Sequence, residues 1–422
     1  MAIAKSNYRP RIVDEELRER LDAAAAVLIE GPKACGKTST ARECAASEVF
    51  LDVDASARQA AAVDPEIVLR GDAPRLLDEW QVAPGIWNHV RRAADLDPGK
   101  GRFILTGSAA PTDDLVRHTG AGRIARMRMR TMSLYEQDHA TGEVSLGDLL
   151  AGRKVSASDP GLSLPDLIEF ICRGGWPGSL DANLRGAMRF VRDFVEEVRR
   201  TEIQRASGTR HDPNGVLRLI RSLARNVSTT VSVATLARDV SGDEGNVMQG
   251  TISTYLGALE RLFVVDNQQP FAPHLRSRSR LQKAVKRHFV DPSLAVAALR
   301  SSPGQLRGDL EYLGLLFESL VVRDLRVYAA AHDAEVSHYR DNTGLEVDAV
   351  IETAAGHWLP VEIKLGGSDW IDAAAANLRK LEGRVDTRRI GAPSKLLVIT
   401  ATGYAYERPD GVSVVPLGVL GP

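Results

Sequence analysis

The sequence predicts an α/β protein in three parts: a largely parallel N-terminal sheet, a mainly helical middle and a second α/β core at the C-terminal end. Three observations predict it. Short apolar runs alternate with helical patterns over residues 1–150. From Asp166 to about Phe271 apolar residues fall at helical spacing. After Gly308 a long helical pattern leads into segments ordered α-β-β-β-α-β.

In the first part the candidate strands are Ala26–Glu30, Val49–Val53, Arg75–Asp78, Arg102–Thr106 and Ile124–Met129. Helices are expected between them, notably at Lys37–Ala46 and Ile86–Ala94. Around Ala151–Pro165 the chain turns polar and rich in Gly, Ser, Asp and Pro, as a linker does. In the middle part, 166–300, Val216, Leu217, Leu219, Ile220 and Leu223 share a helix face, and Ser232 suits the cap of a short helix through Val240. Val247, Ile252, Tyr255, Leu256, Leu259, Leu262 and Phe263 mark a third amphipathic helix. Three helices followed by an apolar strand at Phe263–Asp266 suggest a winged-helix arrangement, a packing also found in domains that never touch DNA. The last part, 308–422, is expected to hold a helix at Leu310–Ala331 and strands at Glu335–Arg340, Leu345–Ile351 and Trp358–Leu365. A helix at Ile371–Leu381 and a strand at Ser394–Thr400 complete it, and no internal repeat is visible.

Composition sets outer limits. A chain of 422 residues exceeds the usual size of one domain. A hydrophobic fraction of 44%, a charged fraction of 26% and a net charge of -1 describe an ordinary soluble protein with no bulk bias toward any partner. Cys35, Cys44 and Cys172 have neither metal-like nor disulfide-like spacing and suit a reducing cytosol. The apolar run Ala23–Ile29 is too short to span a bilayer and lacks a basic leader, so a cytoplasmic protein without membrane contact is expected.

Gly31-Pro32-Lys33-Ala34-Cys35-Gly36-Lys37-Thr38 fits G-x-x-x-x-G-K-[ST], follows an apolar strand and opens a helix. The glycines let the backbone wrap a phosphate, while successive N–H groups and the helix N-terminus supply positive potential. Lys37 is suited to neutralising β/γ-phosphate charge, and the Thr38 hydroxyl to ligating Mg²⁺. Residues Gly31, Pro32, Lys33, Ala34, Cys35, Gly36, Lys37, Thr38 and Ser39 are the candidate nucleotide contacts, with ATP and Mg²⁺ as the ligands. Arg75-Leu76-Leu77-Asp78-Glu79 is a short strand ending in two acids; Asp78 is expected to hold Mg²⁺ and Glu79 to act as general base. Phe103–Thr106 runs into Gly107-Ser108, where Ser108, or in second place Thr106, could direct a hydroxyl toward the γ-phosphate. Arg123 is either an arginine finger offered to a neighbouring subunit or part of a basic strand face, because Arg123, Arg126, Arg128 and Arg130 alternate with Ile124, Ala125, Met127 and Met129.

With these residues the chain resembles prokaryotic AAA-family P-loop NTPases that carry a C-terminal domain of unknown function with a nuclease-like fold. The likeness rests on the phosphate loop, Leu77-Asp78-Glu79-Trp80-Gln81, Ile104-Leu105-Thr106-Gly107-Ser108 and Gly122-Arg123 ahead of Ser133-Leu134. Gly174-Gly175-Trp176-Pro177 resembles the element that opens the second half of such proteins; read locally, it is a tight turn anchored by a core tryptophan.

Near the C-terminus, Asp348 precedes Glu362 by fourteen positions, and Glu362 and Lys364, two apart on one strand, share a face. Glu318 could join from the preceding helix. Two or three carboxylates with a lysine suit Mg²⁺-dependent phosphodiester hydrolysis, with Asp348 and Glu362 on the metal and Lys364 activating water or stabilising the developing charge. This set and the strand order resemble the PD-(D/E)XK nuclease superfamily, although Val347 stands where that motif has proline. The resemblance leaves open a domain that only binds. Leu275–His288 adds Arg276, Arg278, Arg280, Lys283, Lys286 and Arg287, which is either a phosphate-binding stretch or a solvated connector.

The expectation is an ATPase coupled to nucleic-acid binding, with DNA foremost, and with Mg²⁺-dependent nuclease activity as a further possibility. The alternative is a nucleotide-dependent switch that binds a protein partner and whose nuclease-like domain is inactive. A homo-oligomer would be needed for an Arg123 finger.

Overall fold

Continuous apolar strands of four or five residues, punctuated by helices, can bury both faces only in a parallel sheet covered on both sides. The computed structural model, which describes residues 8–97, 99–107, 120–204, 211–241, 247–272 and 284–422, contains such a sheet. Its strands are β1 (Ala26–Glu30), β2 (Ser47–Phe50), β3 (Arg75–Asp78), β4 (Phe103–Gly107) and β5 (Ile124–Arg128). They run parallel in the order β2-β3-β4-β1-β5. Alternation along β1 divides the core in two. Ala26 and Leu28 pack with Trp80, Ile86, Trp87 and Leu105, while Val27 and Ile29 pack with Leu17, Leu76, Ile104 and Met127. Strand β2 begins two residues earlier than expected, at Ser47 opposite Arg75, and stops at Phe50. Asp54 caps the next helix, its carboxylate accepting the Ala57 N–H at 2.9 Å.

The chain divides into two compact units: Met1–Thr131 with Thr201–Arg210 and Gly257–Val264, and Met132–Arg200 with His211–Leu256 and Val265–Pro422. The sequence-based boundaries at 150 and 166 both fall inside the second unit. There, β6 (Val144–Ser145) pairs in parallel with the chain's last strand (Leu420–Gly421).

In the second unit the helix Leu164–Arg173 starts with a capping box made by Ser163 and Asp166. The Gly-Gly-Trp-Pro turn follows it. Gly174 has φ +73, and a Cβ there would lie 2.4 Å from Ser293 Oγ; a Cβ on Gly175 would lie 2.1 Å from the Met132 carbonyl oxygen. Trp176 is fully buried and donates Nε1–H to Ser293 Oγ at 3.0 Å. The Gly175 N–H reaches buried Asp291 at 2.9 Å, and Asp291 pairs with Arg323 at 3.0 Å. This element is therefore the tight, tryptophan-anchored turn of the local reading.

The three expected helices form at Pro213–Arg225, Val233–Ser241 and Gln249–Arg261. The strand expected at Phe263–Asp266 does not. Single bridges take its place, Val265 with Phe289 and Gln268 with Lys286, because Phe263 (φ +56) and Val264 still close the end of the preceding helix, their N–H groups donating to the Glu260 and Leu259 carbonyls. The C-terminal core holds the helix Leu310–Ala330, β7 (Ala334–Arg340), β8 (Glu346–Thr353), β9 (Trp358–Lys364), the helix Ser368–Arg384 and β10 (Leu396–Thr400). Two strands that were not expected, β11 (Tyr406–Glu407) and β12 (Val412–Pro416), extend the sheet to the order β11-β12-β10-β9-β8-β7. Strands β7, β8 and β9 are antiparallel neighbours, whereas β9, β10 and β12 are parallel. Ala374, Ala375, Leu378 and Leu381 of the Ser368–Arg384 helix close one face over Val347, Val350, Trp358 and Val398. Among the described residues no helix is long and apolar enough to cross a membrane.

Candidate functional site

The phosphate loop leaves the end of β1 and enters the helix Lys37–Cys44. Gly31 is required sterically, since a Cβ there would sit 2.2 Å from the Met129 carbonyl oxygen. Ala34 (φ +61) and Gly36 (φ +103) take left-handed backbone conformations, the kind of turn by which a loop can wrap an anion with its N–H groups. Lys37 is 5% exposed and donates to the loop's own carbonyls, Gly31 O at 3.0 Å and Pro32 O at 2.8 Å. Its ammonium thus spans the loop where phosphate oxygens would sit. Cys35 is buried and its carbonyl accepts from Arg11 at 2.9 Å, while the same guanidinium reaches the Arg130 carbonyl at 3.0 Å. Arg11 braces the loop from behind. No sequence motif contains Arg11, so this role was not legible before the fold. Lys33 pairs with buried Glu202 at 2.9 Å, and Ser39 lies in the first turn of the helix.

Strand order decides what faces the loop. Because β4 lies between β1 and β3, Thr106 of β4 stands beside Asp78 at the end of β3. The Thr38 hydroxyl donates to Asp78 Oδ1 at 2.7 Å and the Thr106 hydroxyl donates to the same oxygen at 2.5 Å. The second-choice residue of the Thr-Gly-Ser segment is the one that meets the acidic pair; Ser108 lies outside the described residues. Glu79 turns off the strand at φ +51. Burial raises its pKa above the ordinary carboxylate range, opposed by the Lys37 charge and reinforced by that of Asp78. The Gln81 amide donates to Glu79, a partner the sequence reading did not single out. Thr38 and Asp78 fit an Mg²⁺ site completed by nucleotide: a hydroxyl and an ionisable carboxylate already share one position at the loop.

Arg123 is not brought to the loop. It precedes β5, whose Ile124 pairs with Ala26 at the start of β1, so it stands about five residues, or ~16 Å, from the strand end that carries the loop. It is exposed and pairs with Asp95 at 2.6 Å. Arg126 pairs with Glu30 at 2.8 Å and Arg128 lies over the Phe263 ring at 5.3 Å, which is the basic strand face of the alternative reading.

The C-terminal set does assemble. Antiparallel pairing of β8 and β9 sets Asp348 beside Glu362, and Lys364 bonds both, at 3.0 and 2.7 Å. Glu318 joins from the Leu310–Ala330 helix, but through a residue expected elsewhere. Lys286, assigned by sequence to a basic surface stretch, is 2% exposed and pairs with Glu318 at 2.6 Å and with Glu346 and Asp348 at 3.4 Å. Its partners lie 32 to 62 positions away, so nothing local in the sequence signalled them. Asn377 donates to Glu362 Oε1 at 2.6 Å. Arg276, Arg278, Arg280 and Lys283 lie outside the described residues, and Arg287 donates to Asn267 at 3.2 Å.

The charges at this site follow from burial and pairing. Burial would raise the Asp348 pKa, yet Lys286 and Lys364 hold it down at about 2. Burial and the Asp348 charge push Glu362 up to about 7 against Lys364. Burial pushes Glu318 up to about 8 against Lys286. Burial acts to lower Lys286, but Glu318 and Asp348 outweigh it and raise it. The donor set does not fit a divalent ion. Asp348 Oδ2 accepts from the Ile363 N–H and Lys364, and its Oδ1 faces Lys286. Both Glu362 oxygens are engaged, by Asn377 and Lys364. Among the described residues no three His, Cys, Asp or Glu side chains are arranged to hold a metal.

Residues 23–137 match the family described as an AAA domain. Residues 164–305 and 313–420 match two domains of unknown function, DUF8612 and DUF4143. Uncharacterised proteins of Mycobacterium bovis and Mycobacterium tuberculosis are each 25% identical over 340 residues, covering 80% of this chain and 69% of theirs. A solved Walker-type ATPase of Pyrococcus abyssi, 13% identical, gives a TM-score of 0.41 over 68% of this chain and 94% of that one. The N-terminal part of this chain is a P-loop domain of the ATPase type, followed by a helical middle and a C-terminal sheet domain.

Proposed function

We propose that the protein binds and hydrolyses ATP at Gly31–Ser39, Asp78 and Glu79, and that hydrolysis is coupled to nucleic-acid binding by the second unit. The observation that carries the ATPase reading is the shared Asp78 oxygen, which accepts both Thr38 and Thr106 at the mouth of the phosphate loop. Lys37 exchanges the Gly31 and Pro32 carbonyls for β- and γ-phosphate oxygens. Thr38 and Asp78 hold Mg²⁺, which when bound screens phosphate charge. Glu79 accepts the proton of the attacking water, and its raised pKa brings it nearer to working pH. Thr106 fixes the orientation of Asp78 from the neighbouring strand.

Support for a nucleic-acid output comes from the basic run at Arg276, Arg278, Arg280 and Lys283 and from the nuclease-like order of β7 to β10. The second reading, a nucleotide-dependent switch that engages a protein partner, is favoured by one observation: a lysine meets every carboxylate of the C-terminal cluster. Fluorescence anisotropy with labelled single- and double-stranded DNA and RNA, across a salt series with and without ATP, separates them. Coupled nucleic-acid binding gives an affinity that falls steeply with salt and depends on nucleotide. Absence of salt-sensitive affinity for every form, with Lys37→Ala losing ATP binding as expected, would leave the switch.

A further inference from the structure

The cation of the C-terminal acidic cluster is part of the chain. Lys286 reaches the cluster from a segment whose backbone is fixed on both sides: its N–H donates to Gln268 O at 3.0 Å, and its carbonyl accepts the Gln268 N–H at 2.8 Å. The Gln268 side chain in turn donates to the Ser337 carbonyl at 3.0 Å and to the Asp348 carbonyl at 3.1 Å, tying this pair to β7 and β8. The Lys286 ammonium lies 2.6 Å from Glu318 and 3.4 Å from Asp348, with 2% of the side chain exposed. It has no adjoining solvent to withdraw into. Lys364, with 26% of its side chain exposed, closes the outer side on Asp348 and Glu362.

A divalent ion shared by these carboxylates would need open oxygens at about 2.0–2.6 Å and no competing cation. Both conditions fail. The oxygens that converge are already bonded to N–H donors, and an ion between Glu318 and Asp348 would occupy the place of the Lys286 ammonium, whose positive charge would also repel it. Each of the converging acids, Glu318, Asp348 and Glu362, already has a lysine ammonium within 3.0 Å.

From this geometry we infer that Lys286 and Lys364 are the permanent counter-cations of the C-terminal acidic cluster, and that this domain takes up no divalent ion there and does not cut phosphodiesters. The inference deepens the proposed function and rests on it only in naming the output as binding rather than cleavage.

Manganese tests it directly. Mn²⁺ binding to the full chain, without nucleotide, is followed by electron paramagnetic resonance and calorimetry on wild type, Asp348→Asn and Glu362→Gln. The three are expected to give the same binding curve, because none has a site at the cluster. In Lys286→Met, which keeps the volume and removes the charge, Mn²⁺ uptake should strengthen at least about tenfold and disappear again when Asp348→Asn is added. Nuclease assays with Mg²⁺ or Mn²⁺ should leave DNA and RNA intact. Wild-type Mn²⁺ binding that is lost in either acid variant, or cleavage that is lost in Lys364→Ala, would overturn the inference whatever the Lys286 variant does. Failure of a well-folded Lys286→Met to gain a site would also count against it. Nucleic-acid affinity measured in EDTA keeps the two proposals apart: its absence sinks the binding output and leaves the metal result standing.

Discussion

Arg323→Met removes a cation that pairs with two buried carboxylates, and its cost can be estimated from the contacts. Arg323 is 2% exposed and meets Asp291 at 3.0 Å and Asp324 at 2.7 Å. The two acids are structural anchors. Asp291 accepts the Gly175 N–H at 2.9 Å, and Asp324 accepts the Leu134 N–H at 3.0 Å. Removing one partner of a buried ion pair typically costs ~3–5 kcal/mol, because the remaining charge is stranded. Burial already pushes Asp324 up to about 6 against the pull of Arg323. Without the guanidinium it rises further, and the carboxyl takes a proton rather than stay charged. An acid whose folded pKa is raised costs nothing below its unfolded pKa and progressively more as pH rises to the folded one. The loss in Arg323→Met should therefore be largest at pH 7 and smaller by at least ~1 kcal/mol at pH 5. Urea unfolding followed by tryptophan fluorescence at both pH values measures it, since Trp176 reports on this turn. A loss below ~1 kcal/mol at pH 7, or one that does not shrink at pH 5, would refute the reasoning.

Gly31→Ala drives a methyl group into the Met129 carbonyl, so it should cost ~1–3 kcal/mol of stability by thermal unfolding and weaken ATP affinity at least about tenfold by calorimetry. Unchanged affinity would mean that the loop has room the packing denies. The pH dependence of turnover should show an acid limb above the ordinary glutamate value of 4.5, with activity falling as pH falls through the raised Glu79 pKa. A limb at or below the ordinary value would separate Glu79 from the base role. Arg123→Ala should leave ATP binding unchanged, since its partner is Asp95 at the far end of the strands, and a loss of affinity would contradict that placement.

The first sheet was legible in its inner strands, where Ala26–Ile29, Leu76-Leu77 and Phe103–Leu105 are apolar and buried, and because the phosphate loop marks the end of β1; the edge strands β2 and β5 carry Glu48, Arg126 and Arg128 and give a weaker signal. The pairing of Thr106 with Asp78 was half legible: both residues end strands, but only the order β3-β4-β1 makes them neighbours. Strand β12 was missed because Val412-Ser-Val-Val-Pro is short, interrupted by Ser413 and ended by Pro416, although all five residues are buried. Lys286 was misread for a different reason. A lysine among arginines reads as surface charge, and only the fold turns this one inward toward Glu318, Glu346 and Asp348. Gly174 and Gly175 were read as a turn; the carbonyl and hydroxyl that exclude a Cβ there belong to Met132 and Ser293, far along the chain.

The central claim is that Glu79 is the base of an ATP-hydrolysing site. It is tested by phosphate release from Glu79→Gln, with ATP binding measured on the same sample. The account predicts affinity close to that of wild type and turnover lower by ~10²–10⁴-fold, because the amide keeps the shape and the Gln81 contact but cannot take a proton. Turnover at the wild-type rate, with ATP bound, would contradict it.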